Sequence, residues 1–481
     1  MRCIPKPHCR RALCDGVIIN GEATLGLMAV EYPRVDAEDA PLSSGRSSKS
    51  WVMEMEKTIC EMNIDPAVEM ARWKRHSIYR VPERIKNLHN SKSYQPELVS
   101  LGPFHHGDPE LVPMEEHKRR AVVHLVKRSG KPLREFVAAV AEVAQQLQDA
   151  YKDLGEEWRG PPEENSERFV ELMVTDGCFL VEAMRMDALR GKVHKDYAPN
   201  DPVFSKYGYL YLWNYIQSDM VVVENQLPLL LLQRLLLVLD HDRYQNVSGV
   251  SRLVLDSLCP WRRHLVGINQ LDLGLHPLHI LYTSLTHGDH RERTGSTSYV
   301  MPSAMEIYEA GIHFRVSNTD SLLDVHFERG VLSMPAIRVD DRTEKKFLNL
   351  MAFERLHPGA GNNVTAYVIF MDNLISSARD VALLRSKNII ECGLGSDEEV
   401  VQLLNNTLNK GGVMSPSSRL HDVQRQVKAH CRMRWNRWRA NFIQRYLRNP
   451  WVFISLVVAE VLLVATILQT VFAILPYYKQ T

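Results

Sequence analysis

Apolar residues recur at helical spacing along most of this chain, and the places where the pattern fails mark its boundaries. Residues 53–73 carry Met53, Ile59, Met62, Ile64, Val68 and Met70 among charges, which predicts an entry helix interrupted at Pro66. Prolines at 82, 96, 103, 109 and 113 then predict an extended, turn-rich stretch, since each fixes φ and removes a backbone donor. From Met114 the pattern becomes a charged helix. Residues 133–151 place Phe136, Val137, Val140, Val143, Ala144, Leu147 and Tyr151 on one face of an amphipathic helix. The acidic Gly-Pro-Pro stretch at 155–164 reads as a loop, and 169–186 as a buried helix. Residues 210–239 include ENQLPLLLLQRLLLVLD, too short an apolar run to span a bilayer, and so predict a core helix with Pro228 in its first turn. Residues 243–249 and 287–298 read as loops.

Ser303 and Glu306 form a capping box, and Gly311 closes the helix they start. The period then changes. Residues 312–316, 322–327 and 331–339 alternate or are β-branched, predicting a small sheet before helix returns up to Lys410. No internal repeat is visible. The fold class that follows is mainly α with a small β-sheet, an α+β body, plus one C-terminal transmembrane helix. The expected organisation is a flexible leader (1–52), a globular body (53–422), a basic aromatic juxtamembrane helix (423–450), the span (451–475) and a short tail (476–481).

The span is expected because WVFISLVVAEVLLVATILQTVFAIL runs between Pro450 and Pro476 with only Glu460 and Gln469 strongly polar. As a helix it measures roughly 37 Å, enough for a ~30 Å hydrocarbon core. Its Leu, Ile, Val and Phe side chains favour insertion by roughly 6 kcal/mol, against a cost on the order of 3 kcal/mol for ionised Glu460. A buried core helix is the competing reading. Before it lie Arg425, Lys428, Arg432, Arg434, Arg437, Arg439, Arg445 and Arg448 with no acid after Val423, and after it only Lys479 is charged. That asymmetry predicts a single-pass, tail-anchored protein, with the body in the cytosol and the plasma membrane as the expected site. Trp435, Trp438, Phe442 and Tyr446 fall within roughly 80° on a helical wheel, which suits a lipid headgroup layer. The same composition also fits RNA binding, or docking onto the body.

Composition changes this picture little. The chain has 481 residues, 45% hydrophobic and 24% charged, with a net charge of +1, so no overall field draws it to nucleic acid, and none is expected as a partner. The eight cysteines contain no CxxC pair and read as reduced thiols. A zinc site from Cys3, His8, Cys9 and Cys14 has no standard spacing. Sequons stand at Asn246, Asn363 and Asn405, and would be open to glycosylation if the body were lumenal.

Several blocks, in order, resemble a known family: SIYRVPE, YQPELVSLGPFHHGDPELVPMEEHK, ELMVTDGCFLVEAM and SDMVVVENQLPLLLL, then PSAMEIYEAGIHFR, VLSMPAIRVDD and LNLMAFE. Together with the C-terminal span they are similar to the plant family called domain of unknown function 247, also written UPF0481, over roughly residues 77–475. The resemblance implies a plant protein with a helix-rich body and a C-terminal membrane anchor. It also implies recognition or signalling, since some members are associated with self-incompatibility in grasses, and it implies no enzymatic activity. The leader before Met53 and the acid Glu460 depart from the family's pattern.

Chemistry has few footholds. His105, His106, Asp108, Glu115, Glu116 and His117 carry metal-ligand side chains, the basis for an alternative reading as a membrane-bound metal-dependent hydrolase. Adjacent histidines on extended backbone point apart, however, which favours turn hydrogen bonds. Asp176, Gly177 and Cys178 suggest a buried, inert thiol. Glu224, Asn225 and Gln226 suggest an N-terminal helix cap, with a polar binding cluster as the competing reading. There is no GxGxxG, Walker loop, HExxH or GxSxG motif. No catalytic residue, cofactor or metal ligand is assigned. The expectation is a non-enzymatic, membrane-tethered interaction or signalling protein, touching lipid through its last helix and a protein partner through its body.

Overall fold

A computed structural model describes residues 48–61, 65–159, 163–192, 196–259, 273–288, 301–433 and 450–479. The first 47 residues, with Cys3, Cys9 and Cys14, and the arginine-aromatic segment 434–449 lie outside the described residues. The chain divides into two units, Met1–Ile64 and Asp65–Thr481. In the first, α1 (Ser48–Glu61) leaves Trp51, Met53, Met55 and Ile59 exposed.

The second unit opens with α2 (Pro66–Lys74), which follows the predicted interruption at Pro66. Then α3 (Pro113–Ser129) shows why the sequence starts and stops it there. Pro113 occupies the first turn, Glu115 and Glu116 face the positive end of the dipole, and Lys127 and Arg128 face the negative end. Gly130 ends it in the left-handed region at φ 68°. The predicted 133–151 helix is broken. α4 (Leu133–Ala141) stops because Val143 leaves helical geometry at φ −112°, ψ 8°, and a short helix, Ala144–Asp149, delivers Tyr151 to a parallel bridge with Ile78. Next comes α5 (Glu163–Ala188), the long central helix, packed against both α3 and α4.

The 210–239 region is not one helix. Lys206–Tyr211 and α6 (Trp213–Asp219) precede an irregular turn, and α7 (Leu229–Leu239) begins only after Pro228, which sits outside it at φ −57°, ψ 135°. The expected loop at 243–249 is also helical: His241–Tyr244 leads into α8 (Val247–Leu258), where the Asn246 side chain caps the N–H of Ser248. α7 buries Leu229, Leu231, Leu232, Leu235 and Leu236 against α4, α5 and α8. Burial of such leucines contributes about 1.5–3 kcal/mol each.

After α9 (Pro277–Leu285), the capping box of Ser303 and Glu306 starts α10 (Ala304–Glu309), as the pattern predicts. Strands β1 (His313–Val316), β2 (His326–Glu328) and β3 (Val331–Met334) form a sheet ordered β1-β3-β2, parallel on one side of β3 and antiparallel on the other. The predicted 331–339 strand is cut by Pro335, which has no N–H to donate. Its remainder, β4 (Ile337–Val339), pairs in parallel with β5 (Ile390–Cys392). Between β4 and β5 run α11 (Thr343–Leu356), α12 (Asn363–Leu374) and α13 (Ala378–Ser386). β5 was not expected, because three residues are too few to carry an alternation. α14 (Asp397–Gln402) continues into a π-helical turn, Leu403–Leu408, and α15 (Leu420–Arg432) closes the body.

The last helix, α16 (Pro450–Lys479), forms where the sequence predicts a membrane span. Among the described residues, however, no helix is long and apolar enough to cross a membrane. The transmembrane helix is therefore not a feature of the described structure.

Candidate functional site

The quoted sequence blocks meet in the interior, where polar side chains of one block hold the backbone of another. Asp219, at the end of α6 and fully buried, accepts from the N–H groups of Glu97, Leu98 and Val99 at 2.8, 2.8 and 2.9 Å. Lys345 of α11 reaches it at 3.2 Å. Burial pushes the Asp219 carboxyl up, while Lys345 and the three N–H groups pull it down, leaving a net rise. Asn225 accepts from Leu101 N–H at 2.7 Å and donates to the carbonyls of Val99 and Asp219 at 3.0 and 3.1 Å. Gln226 donates to the Met220 and Val222 carbonyls, at 2.7 Å each, and accepts from Leu278 N–H at 2.9 Å. Asn349 of α11 accepts from Val223 N–H at 2.9 Å and donates to the Ser93 carbonyl at 2.7 Å.

These bonds overturn the cap reading of Glu224, Asn225 and Gln226. All three are buried, and they bind chain segments far upstream and downstream of α7. Glu224 takes Val81 N–H at 2.5 Å and Lys86 Nζ at 3.0 Å, and lies 3.3 Å from His105 Nε2. Burial raises its carboxyl, but these partners outweigh burial and the net shift is downward. A second buried pair lies nearby: Lys118 of α3 meets Asp176 of α5 at 2.8 Å, Glu115 at 2.7 Å and Ser100 Oγ at 2.8 Å. Asp176 also accepts Gly102 N–H at 2.8 Å, yet burial still leaves its carboxyl raised. Cys178, two residues beyond Asp176 on α5, has its thiol pushed up to about 12 by burial, so it is not a nucleophile.

The histidine cluster is not assembled. His105 Nδ1 binds Asp108 at 2.9 Å, His106 packs edge-on against Trp158 with centroids 5.6 Å apart, and His117 Nδ1 faces Arg120 at 2.9 Å. Glu115 is engaged by Lys118, and Glu116 is exposed. Among the described residues no group of three or more His, Cys, Asp or Glu is placed to hold a metal ion. The metal-dependent hydrolase reading loses its donor set.

A site that the sequence reading missed lies in the C-terminal half of the body. A cavity of about 880 Å³ is lined by α9, α11, α12, the 357–363 turn and residues 415–420. Its aromatic wall is built at the end of α11: Phe353 and His357, the residue that caps the helix four positions on, stack at 5.0 Å and 9°. Tyr282 and His279 of α9 approach Phe353 at 5.6 and 5.8 Å. His279 Nδ1 accepts from Leu275 N–H at 3.1 Å, so its other nitrogen carries the proton. Burial holds its pKa down at about 4. His276, behind it, gives its Nε2 proton to the Ser77 carbonyl at 3.0 Å and is lowered further, first by burial. Asn362 fixes the far wall, accepting from Ser415 N–H at 2.7 Å and donating to the Val413 carbonyl at 3.0 Å. Tyr282 donates to the Ala360 carbonyl. Isolated histidines in helical segments give no signal in sequence; only the packing of α9 on α11 gathers them.

The chain is 29% identical to UPF0481 protein At3g47200 of Arabidopsis thaliana over 434 residues, covering 83% of this chain and 86% of that protein. It is 21% identical to putative UPF0481 protein At3g02645 of the same plant over 524 aligned positions, covering 87% and 93% respectively. No solved structure matches. The profile of DUF247, described as a plant protein of unknown function, matches residues 78–465, which contain the interlocked blocks, and the chain belongs to that family.

Proposed function

We propose that this protein is a non-enzymatic recognition component, held at a membrane by its last helix, with the body in the cytosol and engaged with a protein partner. The observation that carries the reading is the apolar surface of α16. Ile454, Val457, Val458, Val461, Leu462, Leu463, Val464, Ile467, Leu468 and Val471 are all exposed along it. A helix apolar on every face is stable only against lipid or another apolar surface. The whole 451–475 run has the length for lipid, and the basic residues before it supply the orientation. The interlocked polar groups support a rigid recognition body, because each holds backbone in place and faces inward.

The test compares the full chain with a version ending at Pro450. The full chain is expected in the membrane pellet, resistant to high salt and alkaline carbonate, and the truncated chain in the supernatant. A truncated protein that still pellets after both washes overturns the tether. An intact chain that stays soluble without detergent does the same.

A further inference from the structure

We propose that the cavity between α9, α11, α12 and residues 415–420 is a binding site for a planar organic anion, an aryl carboxylate being the simplest member of the class. This goes beyond the tether and does not depend on it.

Its volume, about 880 Å³, is that of a small-molecule pocket and accepts a fused two-ring ligand with room for substituents. Its chemistry sets the class. Among the described residues the lining contains no Asp or Glu, while Arg419 contributes a permanent positive charge. Arg419 also has partners within the protein, and its charge remains whatever they are. Behind the wall, Glu354 is committed to the N–H groups of Val364 and Thr365 at 2.7 and 2.9 Å and to the Thr365 hydroxyl at 2.7 Å. His279 adds a donor without charge. His279 presents a protonated Nε2, because its Nδ1 already accepts from Leu275. Tyr79 donates its hydroxyl proton to the His76 carbonyl at 2.6 Å, so at 3.1 Å from His357 it accepts from Nδ1 and fixes that ring's tautomer. Hydroxyls of Ser417 and Ser418 stand on the same wall as Arg419.

Shape selects planarity. Two partly exposed rings stand at the wall, His357, backed by the buried Phe353 ring stacked on it at 9°, and His279, at 57° to Phe353. A flat ring can slide along these faces and direct its anionic group toward Arg419 and the serines. The backbone opposite is held by Asn362, in a turn that Gly359 and Gly361 permit at φ 88° and 92°. The walls are therefore formed in advance, which lowers the entropic cost of binding.

The experiment uses the full chain in detergent micelles, with calorimetric titration and thermal protection as readouts. The probes are 2-naphthoate, the neutral 2-naphthamide and the cationic 2-naphthyltrimethylammonium. Naphthoate is expected to bind saturably and at least tenfold more tightly than the amide. Arg419→Gln is expected to shrink that preference to twofold or less while leaving amide binding unchanged. Thr283→Phe, which fills the cavity from α9, is expected to abolish binding of both. Ser417→Trp fills it from the opposite wall and covers the case where Thr283→Phe fails to fold, as judged by near-ultraviolet circular dichroism. The proposal is overturned by absence of saturable naphthoate binding up to millimolar concentration. It is equally overturned if the cation binds more tightly than the anion, or if folded cavity-filling variants bind as well as the parent.

Discussion

Lys118 is a cation with no exposure at all, and its position on α3 is tolerable only because Asp176, Glu115 and Ser100 surround its ammonium. Removing one member of such a pair leaves the other charge buried and alone. Lys118→Met is therefore expected to lower the urea unfolding free energy of the body by about 3–5 kcal/mol. Adding Asp176→Asn, which keeps an acceptor for Gly102 N–H, should recover more than half of that loss; failure to recover would show that the ammonium's packing matters more than its charge. The buried histidines set a pH dependence of definite sign. His279 is held at about 4, while an unfolded histidine titrates near 6.5. Below about pH 6.5 the unfolded chain takes up a proton that the folded chain refuses, so stability falls with falling pH, and this site's loss approaches about 3 kcal/mol by pH 4. His276 acts in the same direction. Denaturation midpoints followed from pH 7 to 4.5 should show a shallower fall in His279→Gln than in the parent, and an unchanged slope would remove His279 from the account.

At the scale of elements, the turn at Gly102 joins the two halves of the polar interior. Its φ of +81° is closed to most residues, and a Cβ there would stand 2.7 Å from Tyr151 Oη and 3.1 Å from the Gln226 carbonyl. That tyrosine hydroxyl donates to the same carbonyl at 2.9 Å. Gly102→Ala is expected to cost at least about 2 kcal/mol, from left-handed strain plus the contact. Tyr151→Phe alone should cost about 1 kcal/mol, and should relieve part of the alanine's penalty in the double variant, as read by a thermal-shift cycle. Helices with caps or a proline start, such as α3 and α10, were legible because their signals are local. The same holds for the interruption at Pro66. The break at Val143, the turn before α7 and the strand β5 were not legible, because each is set by a distant partner: Ile78 for the first, the 97–101 backbone for the second, β4 for the third. The apolar richness of 210–239 concealed a turn whose polar residues serve other segments. Of the sites, the His105 to His117 grouping was visible because its members are sequence neighbours, yet they diverge in space. The cavity's residues are spread from Leu275 to Leu420 and have no shared pattern.

At the scale of the whole molecule, the three sequons differ in what they can accept. Asn405 Nδ2 donates to the Ile375 carbonyl at 2.8 Å and Asn363 Nδ2 to Tyr282 Oη at 3.4 Å, whereas Asn246 is exposed at the start of α8. If the body lies in the cytosol as proposed, glycosidase treatment of protein from the native host should give no mass shift. A shift of one glycan, abolished by Asn246→Gln, would place the body on the other side of the membrane. The interlocking of early and late segments also governs how the polypeptide can be made. Asp219 and Val223 emerge from the ribosome well before Lys345 and Asn349, which complete their bonding. Until those residues appear, the nascent N-terminal half holds the Asp219 carboxylate without its lysine and the Val223 N–H without its acceptor. Assembly of the body must then wait for α11, and the growing chain is exposed to chaperones through more than two-thirds of its synthesis.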